Sequence, residues 1–272
     1  MKVKCIALVD FSEYSANLVK YAYQWSEKFE SKLMLIHSYE IVSPGMAGAE
    51  NIQHIQQSTK EEVKESLQGL INEHLPKEAI VRFSCSTKPL IYQLKEELDS
   101  ESFNFVFLGV KGTGSLKRIF LGSEATRIIE ESNDLIIALP KDVTSAKINK
   151  LHIAVSDEFK INTLLLANFL KLCKTNKPAL HFFHLAKKKK TTPEIENLFG
   201  HLKLLFGEEY ELEFNVFESD NRIEDIKKVI SNKDEELLVL QRGSRYLSDQ
   251  LFRKMLINEL VYEGNTPLMV LP

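Results

Sequence analysis

Two tandem doubly wound α/β domains are the fold that this sequence predicts, and three observations predict it. Apolar runs of strand length alternate with stretches of helical periodicity through the first half. The same succession restarts near residue 149. A glycine-rich loop follows the fourth strand of the first half and runs directly into a helical pattern.

The elements follow in order. The run from Val3 to Val9 reads as a buried strand and ends in Asp10-Phe11-Ser12-Glu13. Leu18, Ala22, Trp25 and Phe29 recur at helical spacing, so the sequence predicts a helix reaching about Glu30 with Ser12 as N-cap; Ser15 in place of Glu or Gln leaves the capping box incomplete. Leu33 to His37 is a second strand, and strand, helix and strand at this spacing imply a right-handed parallel crossover. Pro44, Gly45 and Gly48 mark a loop before a highly charged helix from about Ile52 to Glu73. A third strand is expected from Ala79 to Cys85, a third helix from Leu90 to Leu98 and a fourth strand from Phe103 to Leu108. Ala125, Ile128, Ile129 and Ser132 then stand at i, i+3, i+4 and i+7, which starts a helix at Gly122-Ser123. Leu135 to Leu139 gives the fifth strand, stopped by Pro140, and Lys141 to Lys147 reads as a short polar linker. Five strands alternating with four helices make a doubly wound domain over residues 1–140.

Residues 149–272 repeat it. Leu151-His152-Ile153-Ala154-Val155-Ser156-Asp157 echoes Cys5-Ile6-Ala7-Leu8-Val9-Asp10, Leu237 to Leu240 matches Phe105 to Leu108, Phe252 matches Phe120, and Leu271-Pro272 matches Leu139-Pro140. Self-similarity on this scale is a duplicated domain. The copies differ at the loop: the positions of Gly109, Gly112, Gly122 and Ser123 are taken by Gln241, Ser244, Lys254 and Met255. Each replacement adds bulk or removes φ freedom where a backbone would approach a ligand, so one anion site is expected and it belongs to the first copy.

Four of the eleven glycines, Gly109, Gly112, Gly114 and Gly122, fall in that loop. A glycine turn at the carboxyl end of a strand, followed by a helix N-terminus, suits a phosphate held by main-chain N–H groups. The same loop reads equally well as a tight turn without a ligand. It has neither the Walker nor the dinucleotide spacing. The spacing Gly109-x2-Gly112-x9-Gly122-Ser123, with the Val9-Asp10-Phe11-Ser12 opening and the duplication, resembles the universal stress protein family in its tandem form. The resemblance is strong over 1–140 and mainly topological over 149–272. It implies two five-stranded parallel sheets with helices on both faces. It also implies an adenine nucleotide across the carboxyl edge of the first: Asp10 on the adenosine, Gly109 and Gly112 beside adenine and ribose, Gly122 and Ser123 on the phosphates. The family's dimers pair their final strands, which implies an intramolecular pseudo-dimer through Leu135–Leu139 and Leu268–Leu271, with further homodimerisation left open. Asp10 also reads as a cap or loop acceptor, and Ser123 as a bare N-cap. Glu124 departs from the usual uncharged residue and opposes phosphates unless a divalent cation such as Mg²⁺ bridges them, so ATP, ADP and AMP all remain open. Lys88-Pro89 replaces a common Gly-Pro.

A net charge of −3 excludes a general affinity for nucleic acid or anionic membrane. No apolar run approaches the roughly 18 residues of a spanning helix, and the start lacks a signal peptide, so a cytoplasmic protein is expected. Cys5, Cys85 and Cys173 read as small core residues, and His181 and His184 as structural, since no sulfur or acidic residue lies near them in sequence to form a metal site. Lys111, Lys117 and Arg118, and the run Lys187 to Lys190, read as solvated cations. A nucleotide-binding regulatory module with an unidentified protein partner leads. A scaffold that binds no nucleotide is the alternative, and a weak ATPase comes last because only Glu124 and Asp10 offer a carboxylate at the phosphates and neither sits in a catalytic motif. No catalytic residue is expected.

Overall fold

The computed structural model describes residues 2–42, 49–109, 112–113, 118–119, 123–173, 176–186, 191–218, 235–243 and 266–272. The chain forms two compact units, Met1–Gly109 and Val110–Pro272.

The first unit contains β1 (Val3–Leu8), α1 (Ser15–Lys28), β2 (Leu33–Ser38), α2 (Ala49–His74), β3 (Val81–Ser86), α3 (Leu90–Glu97) and β4 (Phe103–Gly109). Its strands are all parallel in the order β3-β2-β1-β4, with Leu8 level with both Ile36 and Leu108. The chain therefore reverses its direction of growth between β1 and β4, the point at which open α/β sheets form a crevice at their carboxyl ends. The apolar runs Cys5 to Leu8 in β1 and Phe105 to Leu108 in β4 reflect burial on both faces. The Trp25 ring of α1 is fully buried, 5.0 Å from Phe105 and 5.5 Å from Phe107, and this aromatic cluster fixes α1 on the sheet.

Helix α1 begins later than the sequence predicts. Its N-cap is Tyr14, without a side-chain cap, because Ser12 is drawn instead into a turn with Asp10. At its other end Glu30 sits at φ 49°, its N–H bonding Glu27 O (3.1 Å) while the Ser31 N–H bonds Ser26 O (2.8 Å). This is a Schellman ending with glutamate where glycine is usual. Removing the left-handed strain outweighs the added unfolded-state entropy, so Glu30→Gly is expected to raise stability by about 0.5–1 kcal/mol, read as a higher urea midpoint.

The second unit contains β5 (Gly112–Thr113), β6 (Arg118–Ile119), α4 (Ser123–Glu131), β7 (Leu135–Leu139), β8 (Lys150–Ala154), α5 (Thr163–Leu172), β9 (Ala179–Ala186), α6 (Pro193–Phe206), β10 (Leu212–Glu218), β11 (Glu236–Gln241) and β12 (Leu268–Leu271). Strands β10-β9-β8-β11-β12 are parallel and repeat the order of the first copy. β7 pairs antiparallel with β12, Ile136 opposite Val270 and Ala138 opposite Leu268. The final strands of the two copies thus pair within the chain, and this pairing gathers α4 and β7 with the second copy, so the compact units divide after Gly109 while the sequence repeat divides near 140. The linker is less solvated than its charges suggest: Val143, Ala146 and Ile148 are buried and anchor it. Inside the glycine loop the structure adds a short ribbon, β5 with β6, that the sequence does not announce.

Candidate functional site

At the switch point of the first unit, β1 delivers Asp10 and β4 delivers Gly109. Asp10 is exposed, and its Oδ1 accepts from the Ser12 N–H (3.0 Å), the Ser12 hydroxyl (2.6 Å) and the Ser15 hydroxyl (3.2 Å). The carboxylate therefore closes a turn at the head of α1. A Cβ built on Gly109 would lie 3.4 Å from the Tyr14 Cβ, so the end of β4 and the start of α1 approach closely and glycine leaves the position without a side chain. Beside them the His37 Nδ1–H donates to Val9 O (2.7 Å), and the Phe11 ring lies 4.4 Å from the His37 ring.

The other predicted site residues lie in the second unit. Gly112 belongs to β5, facing Ile119 across the ribbon, and Ser123 is the first residue of α4, as the helical spacing predicts. Gly122 lies outside the described residues, as do Lys111, Lys117, the run Lys187 to Lys190, and Phe120, Ser244, Phe252, Lys254 and Met255.

The equivalent edge of the second copy is built differently. Gln241, in the place of Gly109, takes the Asn162 N–H at the head of α5 on its Oε1 (2.9 Å) and donates through Nε2 to Pro272 O (2.5 Å). Its amide thus bridges this edge from a position where the first copy has no side chain. The turn survives without a carboxylate: the Glu158 N–H bonds Ser156 Oγ (3.1 Å), as Ser12 bonds Asp10. The histidine tether survives too, His184 Nδ1–H on Val155 O (2.9 Å). An alignment of the two halves would reveal that His37 and His184 correspond.

Residues 3–135 match the family model for the universal stress protein family. Through this half, the chain belongs to the universal stress protein family. Among solved structures it is similar to a universal stress protein from Archaeoglobus fulgidus, at 17% identity and a TM-score of 0.65, over 98% of this chain and 95% of that one. It is also similar to a putative universal stress protein from Pseudomonas aeruginosa, at 11% identity and TM-score 0.51, covering 99% and 92%. The cytoplasmic domain of a prokaryotic cation chloride cotransporter matches at 14% identity and TM-score 0.51, covering 99% and 95%. These likenesses establish the fold. No curated protein sequence matches the chain. The match of the first half to this family supports a stress-response role.

Elsewhere in the first unit, a cavity of about 810 Å³ opens at the amino end of the strands, lined among others by Lys2, Lys4, Glu97 and Asp99. Lys2 pairs with Asp99 (2.5 Å) and Lys4 with Glu97 (3.6 Å), so these charges serve one another at the edge opposite the glycines. Cys5 and Cys173 are core residues as expected; burial pushes the Cys5 thiol up to about 12, and Cys85 is only half-buried. The histidines hold a partner the sequence conceals. The His152 Nδ1 lies 2.8 Å from the His181 Nδ1, and the His152 Nε2 lies 3.2 Å from Glu236 Oε2, all three residues buried. No group of three His, Cys, Asp or Glu side chains among the described residues is arranged to hold a metal ion, and no helix there is long and apolar enough to cross a membrane.

Proposed function

We propose that the first copy binds an adenine nucleotide, ATP, ADP or AMP, at the carboxyl edge of β1 and β4 and that the chain acts through this as a regulatory interaction module rather than a catalyst. The contrast between Gly109 and Gln241 carries the reading. One fold, used twice, bears no side chain at its switch point where glycine stands and a bonded amide where glutamine stands. The N-cap residue of α1, Tyr14, makes no side-chain cap bond, whereas α5 is capped by Asn162, whose own N–H bonds Gln241. In this reading Asp10 contacts the adenosine, Gly109 and Gly112 border adenine and ribose, Gly122 and Ser123 receive the phosphates, and Mg²⁺ offsets the charge of Glu124.

One observation favours a scaffold that binds no nucleotide: the Asp10 turn recurs with Ser156, so the turn itself needs no ligand. The substitution Asp10→Ser separates the two. It keeps a turn acceptor of the kind Ser156 provides and deletes the carboxylate. ATP affinity, measured by calorimetry with Mg²⁺, is expected to fall about tenfold or more with the melting temperature little changed, the loss of a charge-assisted hydrogen bond. Unchanged affinity would remove Asp10 from the site. Ion-pair chromatography of small molecules released from the denatured protein would show which nucleotide it carries.

A further inference from the structure

We infer that Phe11, braced by His37, is the wall on which the base of the bound nucleotide stacks, an inference that rests on the nucleotide reading of this edge. Phe11 holds φ 54°, a left-handed conformation that a bulky residue adopts only when its surroundings impose it. The imposition is visible. Asp10 Oδ1 binds the Ser12 N–H across Phe11, so the residue is the middle of a closed turn and its backbone is pinned on both sides. The strain places a large ring 39% exposed at the carboxyl edge of the sheet instead of in the core, where an aromatic ring would otherwise gain most from burial. Beneath it the His37 ring, 4.4 Å away and inclined at 53°, is itself fixed by its bond to Val9 O.

The second copy isolates what is special here. It keeps the turn, on Ser156, and the histidine tether, His184 to Val155 O. At the residue after Ser156 it has Asp157, with neither an aromatic ring nor a positive φ, and Gln241 closes the edge. The turn and the tether are therefore parts of the fold, whereas the exposed, strained ring accompanies only the glycine-bearing edge. A strained residue that presents an aromatic face beside such a crevice suits a planar π-system, and in a nucleotide that is the base. Stacking on one aromatic side chain contributes on the order of tenfold or more in affinity and tolerates different bases, so Phe11 strengthens nucleotide binding more than it selects among purines.

Calorimetry on the full chain with ATP and with inorganic tripolyphosphate, for the wild type, Phe11→Leu and Phe11→Gly, tests this. Both variants are expected to bind ATP about tenfold more weakly and to bind tripolyphosphate as the wild type does. Phe11→Gly, freed of the strained φ, is expected to melt no lower than the wild type, which excludes misfolding as the cause. ATP binding by Phe11→Leu equal to that of the wild type would overturn the stacking role while leaving the nucleotide site standing. Equal losses for ATP and tripolyphosphate would also overturn it, by showing that the ring shapes the loop and not the base subsite. A wild type that binds neither would overturn the nucleotide reading itself.

Discussion

Gly109→Gln is expected to abolish nucleotide binding by the first unit and leave it folded. The variant transplants into the first copy the residue that closes the second, where the Gln241 amide spans from the Asn162 N–H to the Pro272 carbonyl. In the first copy the new Cβ meets the Tyr14 Cβ at 3.4 Å, an ordinary contact, so the backbone tolerates the side chain. The amide then projects into the space beside the head of α1 that the nucleotide requires. Overlap of this kind removes at least about 100-fold in affinity, or about 2.7 kcal/mol, well beyond the loss of one hydrogen bond. Gly109→Ala, which adds only the tolerated Cβ, is the control and should lose much less. Thermal shifts with ATP and Mg²⁺ measure both, and a full ligand-induced shift in the glutamine variant would show that the nucleotide does not use this edge.

The second large effect belongs to the other copy. Glu236→Ala removes the carboxylate beside the buried His152 and leaves the imidazole pair in the core without it, a change expected to cost about 3 kcal/mol. Replacing His152, His181 and Glu236 together by leucine should cost less, because the buried imidazoles are then removed along with their carboxylate. Guanidinium unfolding of the second unit distinguishes the two. The same cluster sets an acid limb. Burial, and then the neighbouring His152, hold His181 below its ordinary value of 6.5, to about 4. The unfolded chain binds that proton near 6.5 and the folded one resists it, so stability is complete above that pH and falls as the pH drops below it. One such proton gives a slope of at most about 1.4 kcal/mol per pH unit. The triple leucine variant should lose this part of the acid limb, and an unchanged limb would place its origin elsewhere.

Much of the fold is legible in the residues because its signals are local. Leu135 to Leu139 becomes a strand with the predicted bounds, since an apolar run closed by proline admits little else. The start of α4 at Ser123 follows from the spacing of its apolar residues in the same way. The head of α1 was not legible. Ser12 has the chemistry of an N-cap, but Asp10, two residues earlier, competes for it and holds both its N–H and its hydroxyl, so the helix opens at Ser15. The candidate site is legible to the same depth. The glycines and Asp10 stand out by type and spacing, whereas Phe11 and His37 become a pair only when β1 and β2 lie side by side. His152 and Glu236 are 84 residues apart and meet because β8 and β11 are neighbours, which explains why no acidic partner for the histidines appears in the linear chain.

The sequence by itself determined the alternation of strands and helices, the duplication, and which copy keeps the glycines. Periodicity, turn chemistry and backbone freedom are properties of a residue and its near neighbours, so they can be read without coordinates. The tertiary structure alone decided which side chains share a site: that the Gln241 amide bonds the head of α5 while Gly109 packs against Tyr14, that Asp10 spends an oxygen on its own turn, and that a strained Phe11 faces outward beside His37. Strand order brings distant residues to one edge, and hydrogen bonds there go to whichever partner is nearest in space, a distance that sequence separation does not contain.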